Sequence, residues 1–303
     1  MDRKSFLQTA GLAGLSLAGF SGQAHARTRT LKAEWMGMLT DLSLCVGCRK
    51  CEWACNEVNG LPNLPLQAYE DESVFDDIRR TEARQLTVVN RFLSEEATDH
   101  PVYVKKQCMH CIEPACASAC LVKAFRKTSE GPVVYNPDVC IGCRYCMIAC
   151  PFSIPAYEYD DAFSPEVKKC TMCHERFQAS GEKPACAAIC PREAITFGRR
   201  DDLLKLAREK IRSQSTQYVD HIYGEHEVGG TNWLYVSHIP FEQLGFRMDL
   251  GETPYPELTR GFLSAVPLVL TIWPMLLMGA YAFRNKEDDV SQTGGSEHDN
   301  VEP

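Results

Sequence analysis

Sixteen cysteines in 303 residues are the side chains most able to do chemistry here, and their spacing sorts them into four sets of four. The sets are Cys45, Cys48, Cys51 and Cys55; Cys108, Cys111, Cys116 and Cys120; Cys140, Cys143, Cys146 and Cys150; and Cys170, Cys173, Cys186 and Cys190. None is left over. "CVGCRKCEWAC" and "CIGCRYCMIAC" share all four cysteines with Gly, Arg and Ala at matching places. "CMHCIEPACASAC" and "CTMCHERFQASGEKPACAAIC" share an opening C-x-x-C and a closing P-A-C-A-x-x-C. The order along the chain is therefore A, B, A, B, which reads as an internal duplication.

Disulfides need two facing Cβ atoms, not a C-x-x-C-x-x-C run. Zinc is satisfied by two C-x-x-C pairs, which leaves the third cysteine of each A set without a task. Three cysteines at this spacing wrap the chain round one compact object. The fourth, four residues on, falls on the next helical turn and faces elsewhere, as in bacterial ferredoxins, where it ligates the other cluster of a pair. The reading is four [4Fe–4S] clusters, ahead of a mixture with one [3Fe–4S]. A cubane with four thiolate ligands has no open iron, so the expected role is one-electron transfer and not catalysis. Gly47 and Gly142 are expected to let the backbone approach sulfide. "CTMCH" at Cys170 to His174 matches the haem motif in letters, but haem there would strip a cluster of two ligands. His110 and His174 are expected to pack or to support ligands. Arg49, Lys50, Lys105, Lys106, Arg144, Lys168, Lys169 and Arg192 crowd the motifs, where positive charge would tune potential.

Spacing alone leaves the pairing of sets open, because nineteen residues separate both Cys120 from Cys140 and Cys150 from Cys170. Over residues 38 to about 245 these motifs resemble the four-cluster iron–sulfur subunits of membrane-bound oxidoreductases. That family includes formate dehydrogenase beta subunits, dimethyl sulfoxide reductase electron-transfer subunits and the exported hydrogenase-2 subunit. The resemblance implies that Cys45, Cys48 and Cys51 join Cys190, and that Cys55 joins Cys170, Cys173 and Cys186. It likewise implies that Cys108, Cys111 and Cys116 join Cys150, and Cys120 joins Cys140, Cys143 and Cys146. It further implies a catalytic partner, foremost a hydrogenase, and a multi-helix quinone-binding membrane subunit. A formate dehydrogenase, another molybdopterin enzyme or a multihaem-cytochrome-linked complex is the alternative. Ferredoxin motifs usually place proline after the last cysteine; Pro151 and Pro191 comply, Asn56 and Leu121 do not.

The elements that must position these cysteines are short. "GPVVYNPDVC" and "CPREAITFG" read as strands flanking cysteine loops, "RQLTVVNRFL" as a strand inside an insertion at 61–100, and "DDLLKLAREKIRS" as a helix. "YGEHEVGGTNWLYVS" reads as a strand after a glycine turn. The expected fold class is α+β, with two tandem-duplicated bacterial ferredoxin-like units over 27–258. Residues 1–26 read as an export signal: Arg3 and Lys4 precede an apolar run and "AHA", and "RKSFLQ" resembles the twin-arginine motif with Lys4 in place of the second arginine. "FLSAVPLVLTIWPMLLMGAYAF" carries no charge and is long enough to span a bilayer, so 259–285 is expected as a transmembrane helix and 286–303 as a disordered cytoplasmic tail. The domain would then sit on the periplasmic face of the bacterial inner membrane, anchored by a single pass. With net charge −8 and no long basic block, nucleic acid is not expected as a partner.

Overall fold

A computed structural model describes residues 35–93 and 101–293. The chain divides into two units, 1–32 and 33–303, and the described residues belong to the second. The export signal expected at 1–26 lies outside them. The described part mixes short strands and helices.

Three strands form the central sheet: β1 (Met36–Asp41), β8 (Ile195–Arg199) and β9 (Trp233–Val236). The order is β8-β1-β9, antiparallel between β1 and β8 and parallel between β1 and β9. Register pairs Thr40 with Ile195 and Met38 with Trp233. All four β9 residues are buried, as suits a strand covered on both faces. The Trp233 indole donates to Thr40 Oγ1 at 2.9 Å, which satisfies its polar tip. Between these strands in sequence lie three two-stranded ribbons, β2 (Val88–Phe92) with β3 (Val102–Lys106), β4 (Phe125–Lys127) with β5 (Val133–Tyr135), and β6 (Ala156–Tyr157) with β7 (Val167–Lys168).

The helices are α1 (Lys50–Val58), α2 (Ala115–Ser118), α3 (Tyr145–Ala149), α4 (His174–Ser180), α5 (Ala185–Ala188), α6 (Arg200–Ser213) and α7 (Tyr255–Thr293). In α6, Leu203, Leu204, Ala207 and Ile211 recur at helical spacing and pack on Leu39, Leu234 and Val236. The segment from Tyr218 to Gly230 folds back on the sheet. There His221 Nε2 lies 2.7 Å from Glu227 Oε1, and the Gly224 N–H donates to Glu227 Oε2 at 2.6 Å. Helix α7 starts four residues before the expected boundary at 259 and runs to Thr293, and residues 294–303 of the expected tail lie outside the described residues. Residues Tyr255–Ala282 are long and apolar enough to cross a membrane, and none of them is buried. Pro267 and Pro274 sit inside the helix.

The insertion at 61–100 has a structural task. β2 supplies the ribbon partner of β3, and the whole segment clamps α1 through Glu52. This carboxylate is fully buried and accepts from Val89 N–H, both Arg79 Nη atoms, Arg49 Nε and Gln85 Nε2. Asn56, where proline was expected, continues α1 and donates to the Pro62 carbonyl at 3.1 Å. Proline at that position would leave Pro62 without this donor.

Two outcomes follow. Glu52→Ala leaves the buried Arg49 and the half-buried Arg79 without their anion and costs about 3 kcal/mol; exposed Glu57→Ala on the same helix stays within about 0.5 kcal/mol. Thermal unfolding followed by circular dichroism separates the two. The second outcome concerns pH. The Glu227 hydrogen bond, joined by nearby carboxylates, holds the His221 pKa above its ordinary value. Burial would raise Glu227, yet hydrogen bonds from His221 and backbone N–H groups hold it below the usual carboxylate range. The pair therefore stabilises fully between the unfolded carboxylate and imidazole values, about 4.3 and about 6.5. That contribution is lost as pH rises through the raised His221 value. The melting-temperature deficit of His221→Gln should be larger at pH 6 than at pH 9.

Candidate metal centres

The four cysteine sets begin with the same turn. The N–H two residues on points at the first sulfur: His110 to Cys108 at 3.4 Å, Gly142 to Cys140 at 3.4 Å, Met172 to Cys170 at 3.3 Å, and Gly47 to Cys45. All four donors are left-handed, with φ of 70° for Gly47, 49° for His110, 67° for Gly142 and 59° for Met172. Since His110 and Met172 hold this conformation, left-handedness alone does not demand glycine. Gly47 is needed for another reason: a Cβ there would lie 2.4 Å from the Tyr103 ring. The sets also share an exit. Lys123, Ser153 and Glu193, each three residues after the last cysteine, are left-handed and donate to its carbonyl. The first set departs because Asn56 keeps α1 going, so Cys55 O receives Asn59 instead.

Folding brings cysteines from distant sets together. Cys45, Cys48, Cys51 and Cys190 line one hollow. Cys55, Cys170, Cys173 and Cys186 line a second, and Cys108, Cys111, Cys116 and Cys150 a third. In the fourth group, Cys146 has Cys120, Cys140 and Cys143 as its neighbouring thiols. Cys51 and Cys55, four residues apart on α1, thus open onto different hollows, and α5 does the same with Cys186 and Cys190 just beyond its end. None of the sixteen is in a disulfide.

Burial raises ten of these thiols, and neighbouring thiols raise most of them further. Cys45 is pushed up to about 11, with the Gly47 N–H pulling the other way and Cys190 and Cys48 adding to the rise. Cys116 reaches about 12, and Cys146 and Cys150 about 11. Cys51, Cys55 and Cys111 lie well above the ordinary value, again through burial first. Four crowded thiols cannot ionise together on their own; bound metal cations reverse that, since coordination deprotonates the thiol. The donor set fits an all-thiolate iron–sulfur group, because four sulfurs surround a space that side chains do not fill. His110 adds a second sign of fit. It is fully buried, its Nδ1 accepts from Val133 N–H at 2.9 Å, and its Nε2 has no protein partner. Burial first, then Lys169 and Lys127, push its pKa far down, so it is neutral and carries its proton on Nε2.

The groups form a row by their mutual influence. Cys51 of the first group feels Cys186 of the second, Cys170 of the second feels Cys108 of the third, and Cys116 of the third feels Cys146 of the fourth. Both ends reach the surface. Val46 is exposed at the first, and Leu121, Ile141, Cys143, Tyr145 and Ile148 at the fourth.

The basic residues divide. Lys105 is buried and lines both the first and second hollows. Lys169 is buried and donates to the carbonyls of Val133 and Cys170. Others serve local structure: Arg49 bonds Glu52 and the Asp71 carbonyl, Lys106 the Gly245 carbonyl, Lys168 pairs with Glu158, and Arg144 lies over Tyr157 and Tyr159. Lys127, which the motif reading missed, donates to the carbonyls of His110 and Cys111 at 3.2 and 2.7 Å. Burial pulls it down to about 7, against the opposing pull of Cys111 and Cys108. It lies outside every cysteine motif, so only the ribbon register exposes it.

Residues 100–200 match a family described as the 4Fe-4S dicluster domain. A protein of Nitratidesulfovibrio vulgaris is 50% identical over 295 residues, covering 96% of this chain and 79% of that one. The hydrogenase-2 operon protein HybA of Escherichia coli O157:H7 is 31% identical over 277 residues, covering 80% of this chain and 83% of its own. The iron–sulfur subunit of the nitrate-inducible formate dehydrogenase of Escherichia coli K12 is 34% identical over 217 residues, 70% of this chain and 71% of its own. These matches extend well beyond the cysteine motifs, and the chain belongs to the ferredoxin-type iron–sulfur electron-transfer subunits of oxidoreductase complexes.

Proposed function

We propose that the chain is a non-catalytic wire holding four [4Fe–4S] clusters. Each cluster is held by three cysteines of one set and one of another: Cys45, Cys48, Cys51 with Cys190; Cys55 with Cys170, Cys173, Cys186; Cys108, Cys111, Cys116 with Cys150; Cys120 with Cys140, Cys143, Cys146. The observation that carries this is the gathering of sixteen cysteines, with no spare, into four groups of four. When bound, such clusters supply one-electron redox and leave no iron open to substrate. The protein's part is to hold them in sequence, exclude water from the inner pair and bring the end pair to the surface. Repetition of the same entry turn in all four sets, and of the same exit in three, supports two duplicated ferredoxin-like units.

The row gives the electron path two ends. Helix α7 packs beside α2, which carries Cys116 of the third group next to the fourth. With α7 in the membrane, the fourth group is the membrane-side end, and the exposed Leu121, Ile141 and Ile148 around it suit a membrane partner subunit. The first group then faces the catalytic subunit. HybA is named for a hydrogenase-2 operon, and on that similarity a periplasmic hydrogenase is the favoured partner, with a formate dehydrogenase second. A twin-arginine signal in residues 1–26 would deliver the domain already folded round its clusters, and a quinone-reactive subunit would complete the path.

Three measurements test this. Native material should contain about sixteen irons per chain and give EPR signals on reduction; far fewer irons, or silence at low temperature, would sink the reading. Cys55→Ser should alter the same signal as Cys186→Ser and not the one altered by Cys48→Ser, despite being closer in sequence to Cys48. The full chain should stay with the membrane pellet through an alkaline carbonate wash, whereas a chain ending at Thr253 should leave it.

A further inference from the structure

Among the described residues, Lys105 alone lines both the first and the second cysteine hollow. β3 puts it there. Strand alternation points Tyr103 and Lys105 to the same side: the Tyr103 ring closes on Gly47 in the loop of the first hollow, and Lys105 reaches between the hollows. Cross-strand pairing with Val89 fixes the register.

The ammonium is 2% exposed. Thr87 Oγ1 at 2.6 Å and Gln107 Oε1 at 2.9 Å take two of its N–H bonds, and the Trp233 ring centroid lies 4.6 Å from Nζ. Gln107 is itself held, donating to Tyr235 Oη, which donates back to the Lys105 carbonyl at 2.8 Å. Among the described residues no carboxylate pairs with Nζ. A buried cation without a counter-charge is costly. The negative charge facing it belongs to cysteines of both groups: Cys51, Cys55, Cys170 and Cys186. Lys169 and Lys127 sit instead against the third group.

We propose that Lys105 is a fixed positive charge shared by the first two clusters, raising both reduction potentials together and leaving the third and fourth to other residues. It rests on the four-cluster reading. Reduction adds an electron to each site, and a cation held in a dry space stabilises the added charge far more than one in water. A single lysine acting on two adjacent sites also keeps their potentials close, which favours passage of an electron between them.

The test is an EPR-monitored redox titration of the detergent-solubilised complex, with iron counted in each sample. In Lys105→Met, two of the four midpoint potentials should move negative together while the other two stay; Lys105→Arg should restore them. With iron retained, no movement, or equal movement of all four, would overturn the assignment. Should Lys105→Met lose iron, Gln107→Glu decides: it keeps the lysine but sets a carboxylate beside Nζ, and the same two potentials should fall. A Gln107→Glu holoprotein with unmoved potentials would also overturn it. Unmodified complex with far fewer than about sixteen irons would instead overturn the four-cluster reading.

Discussion

Sixteen sulfurs packed in fours under a small shell of protein are an electrostatic problem before they are an electron path. Burial, with neighbouring thiols adding to it, pushes Cys45, Cys146 and Cys150 up to about 11 and Cys116 up to about 12. Bound cations reverse that rise, because coordination deprotonates the thiol. The remaining architecture answers that constraint. Backbone N–H groups are turned toward the first sulfur of every set, at the expense of left-handed conformations in His110 and Met172 that ordinary residues avoid. Regular secondary structure is correspondingly short, because the chain must keep bending to present sulfur.

What regular structure exists braces the loops from outside. The β8-β1-β9 sheet ties the exit of the fourth set, at β8, to the entry of the first set, just after β1. That single antiparallel pairing brings Cys190 to Cys45 across the chain's length. The β2–β3 ribbon then carries Lys105 into the space between the first two groups, and Glu52 locks the ribbon to α1 through Val89. The insertion that interrupts the ferredoxin pattern thus supplies a brace, and its β2 sets the register of the strand that carries the charge.

The cysteine sets, the strand at 84–93, the helix after Asp201 and the apolar carboxy-terminal segment were legible in the sequence, because each carries a local period or spacing. The residues that were not legible act through non-local contacts. Glu52 looks like any exposed helix glutamate until two arginines from the turn and the insertion close on it. Lys105 was named among the basic residues near the motifs, but nothing in "VYVKK" tells it from Lys106; the β2–β3 register turns Lys105 inward. The parallel pairing of β1 with β9 joins strands nearly two hundred residues apart, a choice no local pattern encodes. Gly47 was legible as a turn residue with positive φ, and the structure adds a second demand that the sequence does not show, the Tyr103 ring against its Cα.

The departure at Asn56 shows how the pattern yields to position. In the three sets whose exits turn at once, the chain leaves the last cysteine through a left-handed residue and enters a strand or loop. The first set has no strand to reach; it must cross to the insertion that covers the sulfurs. Continuing α1 by another turn makes that crossing, and Asn56 then fastens the insertion's beginning at the Pro62 carbonyl and touches Tyr69. Tyr69 lies under the Arg49 guanidinium, whose backbone starts α1 in a left-handed conformation. The same few residues therefore close the helix at both ends and hold Cys51 and Cys55 in different hollows, so the loss of proline here serves the division of one set between two groups.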